Sequence, residues 1–430
     1  MIKNVLLFLI LFALLNIPAF TQQTLTLDEC INVAIQNNYD ILLTQHQIKY
    51  DEIQTNSALG SYFPTIYANA GFSHSFGGPT SYQLQMNQLS AQIAANLLIY
   101  DGGSREANYS RAELLLELTL LQKEFLTQQI KLAVFSQYIN IKRLEEIIKM
   151  RTEDLSVSNA QLENFQARLD AGIIPIEVVL SQEAEVGNKE IQLLYDEIEY
   201  NKAKQDLLIT MGRNPTEDVT FADNTIPSYI PDSELDFFKA RTGTLNNSLE
   251  SALVNRKDYA SYQKSQNIAQ KSISASKGNY LPSLSANFQY GLYGWEKFTN
   301  DNLQGSVSLN LSVPIFSNYT TDLQVQQSIL QYERENSNLS KLEQSILSEV
   351  QTAYFNLESA EKAIKISQKS LKAAKQNYDA MTEKIRVGNV SMTDYITANS
   401  QYVTAQINLI TTTYSYLIMQ KNLLFAIGNY

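Results

Sequence analysis

Hydrophobic and polar positions along this chain follow two periods, and each period occurs twice. From about Thr320 to Gly388 a stripe runs Ile346, Val350, Ala353, Leu357, Ala360, Ile364, Ser367, Leu371, Ala374, Tyr378, Met381, Ile385. Steps of four and three alternate, which is the heptad seam of a coiled coil. The stretch from about Ser104 to Gly172 repeats the phase at an offset of 216, the difference between Thr320 and Ser104, through Ile130, Val134, Ile141, Leu144, Ile148, Leu155, Leu162, Phe165 and Leu169. Gln137 and Arg151 interrupt this first seam, and polar seam residues set register. Neither stretch contains proline. Each predicts one helix of ~65 residues, about 100 Å long at ~1.5 Å per residue. Such a helix crosses a distance; it does not fill a compact domain.

Shorter helices flank the long ones. Thr26–Ser61 opens on Thr26 and Glu29, a capping-box spacing, and stops at Tyr62-Phe63-Pro64, where the residue before proline avoids the helical region. Asn246–Asn279 is its counterpart. After Gly172 and Gly388 a return helix is expected, at about Ile176–Met211 and Thr393–Ile427, closed by Gly212 and Gly428. A short helix and a return helix laid end to end match one long helix.

Between the short and long helices the period drops to two. Ile66, Ala68, Ala70 and Phe72 alternate with Thr65, Tyr67, Asn69, Gly71 and Ser73. Leu89, Ala91, Ile93, Ala95, Leu97 and Ile99 alternate with Ser90, Gln92, Ala94 and Asn96. The second half repeats this with Leu284, Ala286, Phe288, Tyr290 and Leu292, then Val307, Leu309, Leu311 and Val313. Asp101-Gly102-Gly103 ends the first hairpin, with Ser104 as the expected helix cap. Each run approaches the roughly 9–11 residues of a tilted membrane strand. Four strands cannot close a membrane barrel, whose smallest members use about eight, and an open edge is not tolerated in lipid. The strands therefore require two or three copies of the chain around one barrel. Their polar faces carry Ser, Asn and Gln without charge, which suits a water-filled lumen.

The organisation expected is a signal peptide at 1–21, a first repeat at 22–212 with its hairpin at about 64–100, an equatorial linker at 213–245, and a second repeat at 246–430 with its hairpin at about 282–316. Lys3, the apolar run Val5–Ile17 and the Pro18–Gln23 stretch read as a leader cut near Thr21 or Gln22. Asn214-Pro215, Ile226-Pro227 and Ile230-Pro231 make the linker a surface connector.

Composition narrows the function. A net charge of −11 argues against nucleic acid as a partner. One Cys and two His exclude a disulfide framework, and with His46 and His74 on different elements no metal site is expected. No cofactor is implied. Cys30 shares a face with Leu27 and Ala34 and reads as a buried structural thiol. Trp295, Tyr290, Tyr293 and Tyr280 read as an interfacial aromatic cluster. An enzyme with paired carboxylates would need acids that converge, whereas the acids here are spread along helix faces. A secreted coiled-coil structural or adhesion protein would explain the heptads but not the four alternating strands.

Three marks recur in both halves. The first is Tyr62–Ile66 and Tyr280–Leu284, where an aromatic or Leu precedes Pro-x-Ile/Leu. The second is Tyr100-Asp101-Gly102-Gly103 and Pro314-Ile315-Phe316-Ser317. The third is a basic residue four before the reversing glycine, Arg168 to Gly172 and Lys384 to Gly388. In these the chain resembles the TolC-type outer-membrane efflux protein family over essentially its whole mature length. The resemblance implies an α+β membrane protein of the bacterial outer membrane with a large periplasmic part. It implies a homotrimer with a 12-stranded shared barrel, four strands per chain, continuing as an α-helical coiled-coil barrel. The implied role is a passive exit duct in drug efflux or type I secretion, docked on a periplasmic adaptor and through it on an inner-membrane pump. The helix tips, Gly172, Ile173, Ile174 and Pro175 with Gly388, Asn389, Val390 and Ser391, would touch the adaptor or pump. Asp394 matches an acidic gate position. The second gate acid is replaced by Thr397, and a gate-latching Arg near Val390 is absent.

Overall fold

The computed structural model describes residues 23–75, 86–222, 226–227, 229–231, 233–235, 243–295 and 303–430. The expected leader at 1–21 and the Gly77-Gly78-Pro79 loop lie outside these. The first half runs β1 (Gln23–Leu25), α1 (Leu27–Asn37), α2 (Tyr39–Gly60), β2 (Thr65–Ser75), β3 (Met86–Asp101), α3 (Ser104–Asp170) and α4 (Ile176–Thr210). After β4 (Val219–Phe221), the second half runs α5 (Leu245–Asn255), α6 (Lys257–Gly278), β5 (Ser283–Trp295), β6 (Leu303–Ser312), α7 (Thr320–Arg386) and α8 (Met392–Ala426). Both long helices have 67 residues. Every boundary of α7 and α8 lies 216 residues after its equivalent in α3 and α4, as Asp170 and Arg386 or Thr210 and Ala426 show.

Each expected short helix is two helices. The capping box at Thr26 and Glu29 forms as expected. The helix then breaks at Asn38, whose backbone is extended at ψ 128°, and its counterpart breaks at Arg256 at ψ 127°. The cause is the end of the return helix, which abuts each break. Asn38 caps α2 by accepting from the amides of Asp40 (3.0 Å) and Ile41 (3.3 Å), and its Nδ2 donates to the Thr210 carbonyl that ends α4 (2.9 Å). Arg256 is buried and donates to Asp258 (2.6 and 3.0 Å), to Glu349 of α7 (2.8 Å) and to the Ala426 carbonyl that ends α8 (3.3 Å). Burial alone would lower its pKa, but Asp258 and Glu349 raise it, so the guanidinium stays charged. The short and return helices are thus stacked end to end, by an amide in one half and by an ion network in the other.

Two equivalent cores sit at this level. In the first, Leu25, Cys30 and Ala34 meet Val134, Tyr138 and Ile141 of α3, Leu207 and Leu208 of α4, and Val219 and Phe221. In the second, Ile346, Val350, Leu357 and Ile364 of α7 meet Tyr416 and Leu423 of α8. Phe135 and Ile139 of α3 reach Tyr414 of α8 and join them. Each such buried side chain contributes roughly 1.5–3 kcal/mol. The thiol of Cys30 is buried, and desolvation pushes its pKa up to about 12.

The linker is not a surface connector. Val219 and Phe221 are buried in the first core, where β1 pairs in parallel with β4, and Ile230 and Leu235 are each 1 % exposed in the second. Its proline turns carry the chain over the surface, while single apolar residues between them staple it to both cores. Ser104 is also not the cap of α3. The cap is Gly103, left-handed at φ 84°, and the Ser104 hydroxyl instead donates to the Ala275 carbonyl of α6 (2.8 Å). Arg151 pairs with Asp196 of α4, tying the two helices lengthwise. The Gln137 Oε1 is buried without a partner.

Replacing Arg256 with Ala leaves Asp258 buried and uncompensated and should cost about 3–5 kcal/mol. Asn38→Ala removes a cap and one interhelix bond and should cost about 1–2 kcal/mol. Denaturant unfolding of the detergent-solubilised protein measures both, and equal losses would contradict the asymmetry.

Candidate duct wall and helix tips

The four long strands form one antiparallel sheet in the order β2-β3-β5-β6. Its register aligns like with like. Ile66, Ala68, Ala70 and Phe72 face Ala95, Ile93, Ala91 and Leu89. Ala95, Ile93 and Ala91 in turn face Phe288, Tyr290 and Leu292. Phe288, Ala286 and Leu284 then face Val307, Leu309 and Leu311. One side of the sheet is therefore a continuous apolar surface. The other runs Asn69–Gln92–Gly291–Gln304 and Asn96–Asn287–Ser308 across the strands, polar and without a charge. Period-two alternation in each strand combined with in-phase register produces this separation.

A bulge between Leu98 and Tyr100 shifts the pairing of β3 with β5. Tyr100, not Ile99 as the alternation implied, pairs with Leu284 on the apolar side. The bulge leaves carbonyls free, and Arg105 takes them, donating to Leu98 (2.6 Å) and Ile99 (3.2 Å) while its guanidinium lies 4.1 Å from the Tyr62 ring centroid. The expected aromatic cluster on the second hairpin does not form. Tyr290 is on the apolar side, but Tyr293 is on the polar side bonded to Gln92. Tyr280 is at the opposite end of β5, bonded to Asp322 of α7. The side chain of Trp295 lies outside the described set.

Strand β6 is exposed along its whole length, and β2 pairs with β3 alone. No described helix is long and apolar enough to cross a membrane. His46 is on α2 and His74 on β2, and among the described residues no three His, Cys, Asp or Glu gather as a metal site.

At the far end of the helices both hairpins reverse in the same way. Gly172 (φ 72°) donates to Leu169 and Ile173 to Arg168, at 2.8 and 2.9 Å. Gly388 (φ 74°) donates to Ile385 and Asn389 to Lys384, at 3.2 and 2.9 Å. These are Schellman closures, which need a left-handed residue. Ile173, 65 % exposed, with Ile174 and Pro175 makes the first tip apolar, and Pro175 supplies no side-chain cap to α4. The second tip carries Asn389, Val390 and Ser391. Ser391 caps α8, accepting from the Asp394 amide (3.2 Å) and donating to the Asp394 carboxylate (2.6 Å). Thr397, one turn on, is exposed and donates to the Thr393 carbonyl (2.7 Å). Asp394 is likewise exposed on this face. Above the tips, Asp154 of α3 receives Lys189 of α4 (2.7 Å) and Asn399 of α8 (3.4 Å), joining the two hairpins.

A sheet with one lipid-compatible face and one polar face, charged among the described residues only at Asp101 opposite Ser283 by the helix end, carried on helices about 100 Å long, defines the class: a β-sheet membrane channel prolonged by a helical conduit. The family model for outer membrane efflux proteins matches residues 30–213 and again 248–429. The chain belongs to that family. It is 22% identical over 389 residues to the outer membrane protein TolC of Salmonella enteritidis, covering 87% of this chain and 76% of that one. It is 20% identical over 410 residues to the outer membrane efflux protein BepC of Brucella suis, covering 94% and 85%. Its fold matches the Campylobacter jejuni CmeC outer membrane channel with a TM-score of 0.82 at 15% identity, over 94% of this chain and 85% of that one. The protein is thus an outer-membrane channel component with a large periplasmic part. The family is one of passive conduits, not enzymes.

The glycines at the two helix ends should respond differently to alanine. A Cβ on Gly388 meets nothing within 4 Å, so Gly388→Ala should cost only the left-handed backbone penalty, about 1–2 kcal/mol. A Cβ on Gly428 lies 2.8 Å from the Arg256 amide nitrogen, so Gly428→Ala should also separate α8 from α6. Amide exchange should rise at 384–392 alone in the first variant, and across the Arg256 junction in the second.

Proposed function

We propose that three copies close a 12-stranded barrel in the outer membrane and continue below it as a helical cylinder. The assembly is the exit duct of a tripartite export system. It passively carries small molecules such as drugs, or secreted protein, from a periplasmic adaptor and an inner-membrane pump to the outside. The observation that carries this reading is the pair of open edges, β2 and β6, on a sheet with one face apolar from Ile66–Phe72 across to Val307–Leu311. An unpaired edge is costly in hydrocarbon, and pairing β6 of one copy with β2 of the next removes both. Two copies would give about eight strands, an interior only wide enough for side chains, whereas three leave a lumen. The helices support the same assembly. Stacked α2 and α4 form one flank, with Tyr39, Leu43, Tyr50 and Ile53 exposed on α2, and α7 forms the other, with Leu323, Leu330, Phe355 and Ile366 exposed.

The two repeats at 22–212 and 246–430, joined by 213–245 and preceded by a cleaved leader at 1–21, are the units of this wall. The tips, Gly172 to Pro175 and Gly388 to Ser391, meet the adaptor. Exposed backbone closures free their side chains for such a contact. Asp394 from three copies rings the lower aperture, with Thr397 one turn above. Its carboxylate also accepts the hydroxyl of Ser391, the cap of α8, so its removal has two separable effects.

Light scattering in detergent should give three times the chain mass, and planar bilayers should show a cation-preferring conductance. Asp394→Asn keeps the acceptor oxygen for the cap but removes the ring of charge, and should lower cation preference. Unchanged selectivity would remove Asp394 from the gate, and a monomeric, non-conducting protein would refute the duct.

A further inference from the structure

The hairpins α3–α4 and α7–α8 correspond residue for residue at an offset of 216, the difference between Gly172 and Gly388. Within one copy they meet along α3 and α8. Asn399 of α8 donates to Asp154 of α3, and Glu153 and Gln406 line one cleft between the same helices. The duplication allows this contact once more, between α7 of one copy and α4 of the next, because α7 is equivalent to α3 and α4 to α8. Moving the α3 positions forward by 216 turns Glu153 and Asp154 into Lys369 and Ser370. Moving the α8 positions back by 216 turns Asn399 and Gln406 into Glu183 and Glu190. The Asp154–Asn399 bond becomes Ser370 facing Glu183, and the Glu153–Gln406 pair becomes Lys369 facing Glu190, with Lys372 three residues further along α7, so bases meet acids between chains.

We propose that Glu183 and Glu190 of one copy dock against Lys369 and Lys372 on α7 of the next, forming an electrostatic seam in the lower cylinder wall. The seam rests on the assembly of copies proposed above. All four side chains are exposed, and none has an ion-pair partner among the described residues of the chain. On α4 the face away from α3 exposes Leu180, Ile191, Leu194 and Ile198, which with Ala184 and Gly187 step by four and three. Glu183 and Glu190 flank that stripe, where a coiled coil carries the charges that choose its partner. The choice is selective. On α3 the position equivalent to Lys369 is Glu153, which repels the acids of α4, and Asp154 is already taken by Lys189 of its own α4, whereas α7 offers Lys369. The sheet end of the copy-to-copy contact, β2 against β6, is uncharged, so salt, which weakens exposed ion pairs, loosens the lower wall and leaves the barrel closed.

The test uses the full chain in detergent. Oxidation of the double variant Ser370→Cys with Glu183→Cys should give covalent dimers and trimers that neither single variant gives; native Cys30 is buried and does not compete. Lys369→Glu with Lys372→Glu should speed amide exchange along α4 about tenfold, the size expected for losing several exposed pairs. Adding Glu183→Lys with Glu190→Lys should restore it. Trimers by mass whose cysteines stay unlinked, and whose charge swap restores nothing, overturn the seam. A monomer in every detergent overturns the assembly beneath it.

Discussion

A peptide group that loses its hydrogen bond in hydrocarbon has nothing to replace it, at a cost of several kcal/mol. That constraint governs this chain. Its four-stranded sheet satisfies three interstrand ladders internally and leaves β2 and β6 as edges. With one face apolar from Phe72 across to Leu309, the sheet belongs in lipid, where those edges must be paired. In the assembly proposed above, association of copies would therefore be part of the fold, not an addition to it. The helices inherit the requirement. Each strand leads directly into or out of a helix, so an unpaired strand edge continues as an unpaired helix flank.

The passage from strand to helix is the most demanding point of the backbone. Strands lie about 4.8 Å apart, but packed helices need 8–10 Å. Both halves solve this with two successive left-handed residues. The first uses Gly102 (φ 74°) and Gly103 (φ 84°), for which the conformation is nearly free. The second uses Asn318 (φ 50°) and Tyr319 (φ 63°), of which the tyrosine is strained. In return Tyr319 places its ring edge-on to Phe316, 5.7 Å between centroids. The first half meets a different cost, the β3 bulge, and covers its carbonyls with Arg105. The equivalent of Arg105 is Thr321, which instead receives the Ser317 hydroxyl (3.1 Å).

Much of this was legible in the sequence because it is periodic. Heptad steps gave both long helices within a residue or two, alternation gave both strand faces, and Gly172 and Gly388 marked the reversals. What stayed hidden depends on contacts between distant segments. Asn38 and Arg256 sit in runs with good helical periodicity, and only the arrival of Thr210 and Ala426 at those points breaks the helices. The bulge at Ile99 leaves no local mark, since one inserted residue looks like ordinary strand until its partner is known. Ile230 and Leu235 stand among prolines and acids, so a local window reads them as surface. Gly172 and Gly388 were legible as reversals, but the Ser391–Asp394 cap beside the second was not, since it depends on which way the Ser391 hydroxyl turns.

The two tips show how duplication divides labour. Their reversals use the same two backbone bonds and the same glycine, so neither depends on the side chains between glycine and return helix. Freed from that duty, the sequences have separated. Ile173-Ile174-Pro175 is apolar and capless, whereas Asn389-Val390-Ser391 is polar and locked to Asp394. Pro175 stands where Ser391 stands, and Val178 where Asp394 stands. A threefold assembly would therefore present six tips of two alternating kinds. An apolar tip favours burial against a partner, and a charged, internally bonded one favours water and ions. In the assembly proposed above, the same backbone would offer a docking point at one position and an aperture charge at the next.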